Sequence, residues 1–353
     1  MNFKTFVTTL TLCSLFASCI TYEGTPVPGS GDDEKWEKVS VSFERLILET
    51  RATPFFLMAI SDNQFYRLGS ENEILEKRIL DVENGVYGKP CLDDNLFARL
   101  TKNDNGKFQI EFHLVKNSAE IVKKSMDDLA GELNEVVQPD YFGRNIGAFN
   151  QDGTRFILPT VTFPNFYYSF FIFDIRLDAT TFHFEKVETV HRVDIPELTS
   201  EFNNIGTIRS LGTDFYIAAK DGGFKIDKDG VYSKVSQHWM KDFFSKGSYY
   251  YGVAFDDNLF MESQNQGQDW NQSSIASEIK EVSKAGGLVF SQFLPGHKFS
   301  LANDSLTTTK AVKLNEEFPN DNNSYQSINY FSNNFYLSVG KDLYLSKNIV
   351  TVQ

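Results

Sequence analysis

The sequence predicts an all-β fold, a β-propeller, on three observations. Short runs of alternating apolar and polar residues recur along the chain, and tight Gly, Asp and Asn turns separate them. The runs group into three-strand units, and no long helical pattern crosses between them. Taking one strand per unit gives anchors at Phe65, Leu96, Phe171, Phe224, Leu259, Phe299 and Leu343, separated by 31, 75, 53, 35, 40 and 44 residues. The later gaps approach the length of a four-stranded blade, about 40 to 50 residues. Seven blades are expected, with six or eight as alternatives.

The clearest unit is Asp214–Lys220, turn Asp221-Gly222-Gly223, Phe224–Asp227, turn Lys228-Asp229-Gly230, Val231–Val235. The hairpin pattern recurs at Tyr249–Ser263 and at Asn334–Ser346. Weaker copies lie at 54–68, 93–106, 156–190 and 286–301. Two stretches depart from the β pattern and are predicted as short helical insertions, Lys116–Val136 and Ile275–Lys284.

Residues 1–18 read as a secretory leader: Lys4 is the single early charge, and the apolar run Phe6–Ala17 is too short for a permanent bilayer span. The run closes on Leu15-Phe16-Ala17-Ser18-Cys19, which resembles the bacterial lipoprotein signal, with Phe16 where that signal usually has Leu. The resemblance implies that Cys19 is acylated and becomes the new N-terminus; an ordinary signal peptide with an incidental Cys is the alternative. Residues 19–38 are rich in Pro, Gly and acid, a composition suited to a flexible tether, and 39–353 form the propeller domain. Because a ring of blades has to close, Val39–Leu48 are expected in the same blade as part of Asn334–Thr351.

Thirty-four Lys and Arg against 47 Asp and Glu give a net charge of −13, which argues against nucleic acid as a partner. Aromatic residues make up 14% of the chain, with 33 Phe and 15 Tyr, and only three Cys and five His are present. That inventory leaves little material for a disulfide framework or a Cys/His metal set. His113, His183, His191, His238 and His297 have no zinc-signature spacing, although His183 and His191 with Glu185 and Glu188 could meet across a hairpin. The clusters Asn103–Gly106 and Asp227–Gly230 lack the closing Glu of a calcium loop and read as β-turns. Neither a cofactor nor a metal is expected.

The segment Ser263-Gln264-Asn265-Gln266-Gly267-Gln268-Asp269-Trp270 resembles the Asp-box, Ser-x-Asp-x-Gly-x-x-Trp, of sialidase-like and sortilin-like propellers, with Asn265 in place of Asp. The resemblance implies a structural turn between the third and fourth strands of a blade, with Trp270 packed between sheets. With the leader, the chain resembles a Bacteroidota-type cell-envelope lipoprotein carrying a propeller body. That resemblance implies attachment to the outer membrane through lipid, on either its periplasmic or its surface face.

No Arg follows Arg209, so the three-Arg carboxylate clamp of a sialidase cannot draw on the last blades. No nucleophile elbow, Walker loop or dinucleotide fingerprint is present, and no catalytic residue is assigned. Trp239, Tyr249, Tyr250 and Tyr251 flank predicted turns and are candidates for stacking on sugars or peptides, with packing between blades as their competing role. The expected function is a binding or interaction module for an envelope protein or a glycan. A glycan-active hydrolase or lyase on the same scaffold is the alternative.

Overall fold

The computed structural model describes residues 36–83, 85–116, 120–130, 136–139, 146–163, 167–199, 204–255, 259–273, 282–285, 288–294, 298–302, 306, 309–313 and 325–346, which belong to a unit spanning 33–353. Within them the alternating runs become strands, and the turns between hydrogen-bonded neighbours are fixed by short polar side chains. Asn103 Oδ1 accepts from the amides of Asn105 and Lys107, and Asp227 Oδ1 accepts from those of Asp229 and Val231. Gly106 and Gly230 supply the left-handed backbone that each turn requires, with φ of 74° and 79°. Both clusters are turns, as expected.

The strands assemble into seven antiparallel sheets, six of four strands and one of five. The first contains Ile47–Ala52, Leu57–Ser61, Gln64–Leu68 and Ile74–Ile79; the second, Val86–Leu92, Leu96–Lys102, Phe108–Leu114 and Ile121–Ser125. The third joins Ala148–Phe149, Arg155–Phe163, Tyr167–Leu177 and the long Phe184–Thr199, with Val136–Pro139 added beside Arg155–Phe163. The fourth comprises Ile205–Leu211, Asp214–Ala219, Gly222–Ile226 and Tyr232–Ser236; the fifth, Met240–Lys246, Tyr249–Ala254, Phe260–Ser263 and Asn271–Ser273. The sixth holds Val282–Ala285, Leu288–Leu294, Lys298–Ala302 and Thr309–Lys313, and the seventh Tyr325–Phe331, Asn334–Val339 and Asp342–Ser346.

The first strand of each sheet neighbours the first strand of the next, and Tyr325–Phe331 neighbours Ile47–Ala52, so the succession closes on itself. The closing contact is covalently remote. Glu37–Ser42 forms the outermost strand of the seventh sheet, with Glu37 opposite Leu345, Lys38 opposite Tyr344 and Ser42 opposite Asp342. Ile47 N then donates to Gly340 O at 2.8 Å as the chain turns into the first sheet. The expected meeting of the chain ends is therefore made by 37–42, while Ile47 and Leu48 begin the next sheet. Of the segment 19–38 expected as a tether, Glu37 and Lys38 pair with Leu345 and Tyr344 and Trp36 is buried, while 19–35 lie outside the described residues.

Among the described residues the turns joining first to second and third to fourth strands of these antiparallel sheets share one end of the ring, here the lower face. Turns joining second to third strands, and links between sheets, lie on the upper face. The abundance of Phe is explained between the sheets. Phe112 of the second sheet meets Phe149, Phe156 and Phe173 of the third edge-on, at 6.5, 5.4 and 5.5 Å between ring centroids. Each buried ring of this kind contributes about 1.5–3 kcal/mol.

Two expectations are corrected. In Lys116–Val136 the residues Ile121–Ser125 form the edge strand of the second sheet, and among the described residues of the segment Met126–Ala130 alone is helical, a single turn. Phe108–Leu114 has an open hydrogen-bonding edge, and the β-branched pair Ile121-Val122 fills it. In Ile275–Lys284, Val282–Ala285 is a strand, and 275–281 lies outside the described residues. The anchors fall in or beside seven different sheets. The short first gap arises because Phe65 lies in a third strand and Leu96 in a second.

Candidate functional site

Side chains on the first strands stitch neighbouring sheets together around the centre. Arg209 of the fourth sheet grips Asp242 of the fifth through two bonds of 2.9 Å, and Thr207 Oγ1 donates to the same carboxylate. Asp242 is buried, so the bidentate pair satisfies a carboxylate that would otherwise be costly. Arg51 of the first sheet reaches Asp94 Oδ1 and Leu92 O of the second. Cys91 donates its thiol to Gly147 O at 3.0 Å; burial raises its pKa far above the ordinary thiol range, leaving it inert. At the closing seam Thr50 Oγ1 lies 2.5 Å from Ser327 Oγ, and Asn329 Nδ2 donates to Thr50 O at 3.1 Å.

Glu49 stands apart from these satisfied pairs. It is half-buried, on the first strand of its sheet, which neighbours the first strands of the sheets on either side. Burial raises its pKa, opposed in turn by Lys89, by the amide of Thr50 (2.9 Å from Oε1), and by Arg209 and Arg51. Arg209 belongs to the fourth sheet and Glu49 to the first, so an interaction between them runs across the centre. One carboxylate therefore shares its field with cations from the first, second and fourth sheets. That arrangement can hold a polar ligand at several points, since charge–charge interactions strengthen where water is partly excluded. Individually unremarkable in sequence, these residues are separated by up to 160 positions, and no local motif marks them.

A second charged group lies at the seam of the first and second sheets. Arg99 Nε donates to Glu111 Oε2 at 2.7 Å and approaches His113 Nε2 at 3.2 Å; the three side chains are at most 3% exposed. Gln109 and Lys123 donate to Glu111 Oε1, while Arg78 donates to the carbonyls of Leu114 and Val115. His113 stacks on Phe97 at 4.5 Å and 8°. Burial, together with the adjacent Arg99 and Arg78 charges, lowers the His113 pKa to about 4 despite Glu111. Glu111 is held well below the usual carboxylate range by His113, Arg99 and Lys123, which outweigh its burial. Closed off from solvent, this group holds two sheets together. His113 is a core residue.

The stacking candidates do not converge. Tyr250 and Tyr251 are buried, Tyr250 edge-on to Tyr216 at 5.9 Å and Tyr251 stacked on Phe244 at 5.0 Å. Trp239 stacks on Phe255 at 3.9 Å and 7°, with Lys220 over its ring and Lys241 over that of Phe255. Tyr249 is exposed but lies on the lower face, opposite to Trp239. Alternation explains the split: adjacent strand residues point to opposite sides, so a Tyr-Tyr-Tyr run cannot form one surface.

The turn 263–270 lies between the third and fourth strands of the fifth sheet. Ser263 Oγ accepts from Gly267 N at 2.7 Å and donates to Asn265 Oδ1 at 3.0 Å, which in turn accepts from Asp269 N at 2.9 Å. The amide that Asn265 carries in place of a carboxylate oxygen donates to Asp269 Oδ2 at 2.7 Å. Gly267 has φ of 84°, and a Cβ there would lie 1.8 Å from the Tyr216 hydroxyl. Trp270 packs edge-on to Tyr216 and Phe243.

His183 Nδ1 meets Glu120 Oε2 at 2.5 Å just before the strand Phe184–Thr199 that carries His191, so the two do not face each other across a hairpin. Among the described residues no three His, Cys, Asp or Glu side chains are grouped to hold a metal ion. A polar depression of about 320 Å³ on the lower face is lined by Ser70, Glu71, Asn72 and Ser332–Asn334.

No protein-family model matches the chain, and no curated protein matches it. Solved structures do. The chain is similar to the β-propeller domain of Cps50 (Swd1) from Myceliophteria thermophila, with a TM-score of 0.54 and 8% identity over 88% of this chain and 99% of that one. It is similar to the Pan2 WD40 domain of Neurospora crassa, with a TM-score of 0.52 and 10% identity over 92% and 99%. PorZ, a surface component of the type-IX secretion system of Porphyromonas gingivalis, aligns at a TM-score of 0.48 and 10% identity; 90% of this chain spans 40% of that one. The first two likenesses, at such low identity, establish the β-propeller fold alone.

Proposed function

We propose that this chain is a lipid-anchored β-propeller of the cell envelope that acts as a binding or interaction module for a protein or a glycan. In this reading residues 1–18 are the leader, Cys19 carries the acyl chains at the outer membrane, 263–270 is an Asp-box turn, and the seven sheets are seven blades. The observation that carries the binding function is the central group of Glu49, Lys89, Arg209 and Arg51, contributed by three sheets and in contact with solvent. Propellers gather recognition groups from loops and inner strands scattered along the chain, as this group is.

The test is a screen of the purified full chain against a glycan panel and against solubilised envelope proteins, with chemical analysis of whatever is retained. A ligand recovered intact, at constant stoichiometry, supports a binding module. Release of shortened or unsaturated sugar would establish the hydrolase or lyase alternative and overturn this reading. Mass spectrometry of the processed N-terminus tests the anchor: an unmodified Cys19 or an N-terminal Ile20 would remove it.

A further inference from the structure

Large apolar side chains left exposed are not spread evenly over the ring. Among the described residues ten stand out, and seven of them lie at the lower face. Three come from the first sheet. Phe55, 80% exposed, tips the turn between the first two strands, while Ile74 and Leu75 begin the fourth strand. One comes from each of the next four sheets: Ile121, Phe182 and Val231 at third-to-fourth turns, and Tyr249 at a first-to-second turn. The backbone of the Phe55 turn is fixed, because Thr53 Oγ1 accepts from the amides of Phe55 and Phe56 and donates to Phe56 O. Such a tip presents apolar area with little ordering left to lose.

The chain joins the ring at the same end. Glu37 pairs with Leu345, beside Ser346, which faces Phe335 just past the lower turn Ser332-Asn333. The residues between 19 and 37 span at most about 60 Å when fully extended.

We infer that the lower face rests on a lipid surface, with Phe55, Ile74, Phe182, Val231 and Tyr249 dipping into its interfacial layer; the inference depends on acylation of Cys19. A flat bilayer accommodates isolated apolar tips distributed around a rim, whereas a protein partner favours a contiguous patch. The turns of this face carry Glu71, Asp152, Asp178 and Asp229 beside Lys116, Lys228 and Lys246, with Lys228 paired to Asp229 and Lys116 over the Phe182 ring, so the mixed charge suits a zwitterionic surface rather than an anionic one. The upper face, with Trp239, Phe255, Lys220 and Lys241, then points away from the membrane.

The experiment reconstitutes the acylated full chain into phosphatidylethanolamine and phosphatidylcholine vesicles with brominated acyl chains, using F55W, F182W and F255W variants against the wild-type Trp background. Quenching of the fluorescence added by F55W and F182W, by about twofold or more, with that of F255W unchanged, is the expected result for side chains seated several ångströms into the interface. Quenching of neither end, of both equally, or of F255W alone overturns the inference, and a docked protein partner becomes the explanation for the lower face. Failure of the anchor reads differently: the chain then shows no acyl mass and does not stay on the vesicles, and the inference falls with its premise. The double variant F55S/I74S, on which the ring does not depend for packing, should retain its melting temperature. It should also lose the quenching of F182W introduced beside it.

Discussion

Two seams of the same ring are built from opposite materials. Between the first and second sheets the interior holds Arg99, Glu111 and His113, with Arg78 and Gln109 completing their hydrogen bonds. Between the fourth and fifth, Tyr216, Phe243, Tyr250 and Trp270 meet edge to edge, and the ions Arg209 and Asp242 lie at the inner rim. Radial geometry asks only that each interface be filled. A charged filling is specific in direction and intolerant of losing one member, whereas an aromatic filling tolerates small polar changes but not a change of shape.

The largest expected effect lies in the charged seam. Glu111→Ala leaves Arg99 buried without its carboxylate and should cost about 3–5 kcal/mol, read as a lower urea midpoint at constant m. An effect below 1 kcal/mol would show that solvent reaches Arg99.

Acid should separate the two seams next. His113 titrates at about 4 in the fold against 6.5 ordinarily, so between these values the unfolded chain takes up a proton that the folded chain refuses. Stability is complete above pH 6.5 and falls as pH drops towards 4, by about 3 kcal/mol from this residue alone. Glu111, whose pKa is also lowered, adds loss of the same sign below pH 4.5. His113→Gln should flatten the fall between pH 6.5 and 4, measured by urea unfolding across that range.

In the aromatic seam Gly267→Ala forces a Cβ against the Tyr216 hydroxyl at positive φ and should cost about 2 kcal/mol in thermal unfolding. Tyr216→Phe is the smallest change. Its hydroxyl is buried with no hydrogen-bond partner among the described residues, so removal should be neutral or stabilising within about 0.5 kcal/mol. A loss above 1 kcal/mol would mean that the hydroxyl is bonded in solution.

The fold was legible because period-2 alternation and Gly/Asp turns are local signals, and so was the hairpin 263–270, which carries all its acceptors within eight residues. The strand Ile121–Ser125 was not, because charged residues at an exposed edge blur the alternation that marks a strand. The central group was illegible for a different reason: Glu49 and Arg209 are neighbours only once the ring has formed. Trp239 flanks a turn, but its ring face is taken by Phe255, another non-local partner.

The central claim is that the group around Glu49 recognises a ligand, and Lys89→Ala tests it most directly. Lys89 holds the third sheet through its backbone carbonyl, which accepts from Ile146 N, so truncating its side chain leaves that contact intact. Equilibrium titration of the glycan or envelope protein retained in the screen should show binding weakened about tenfold or more, with an unchanged melting temperature. Wild-type affinity in the Lys89→Ala chain would contradict the account and move recognition away from the centre of the ring.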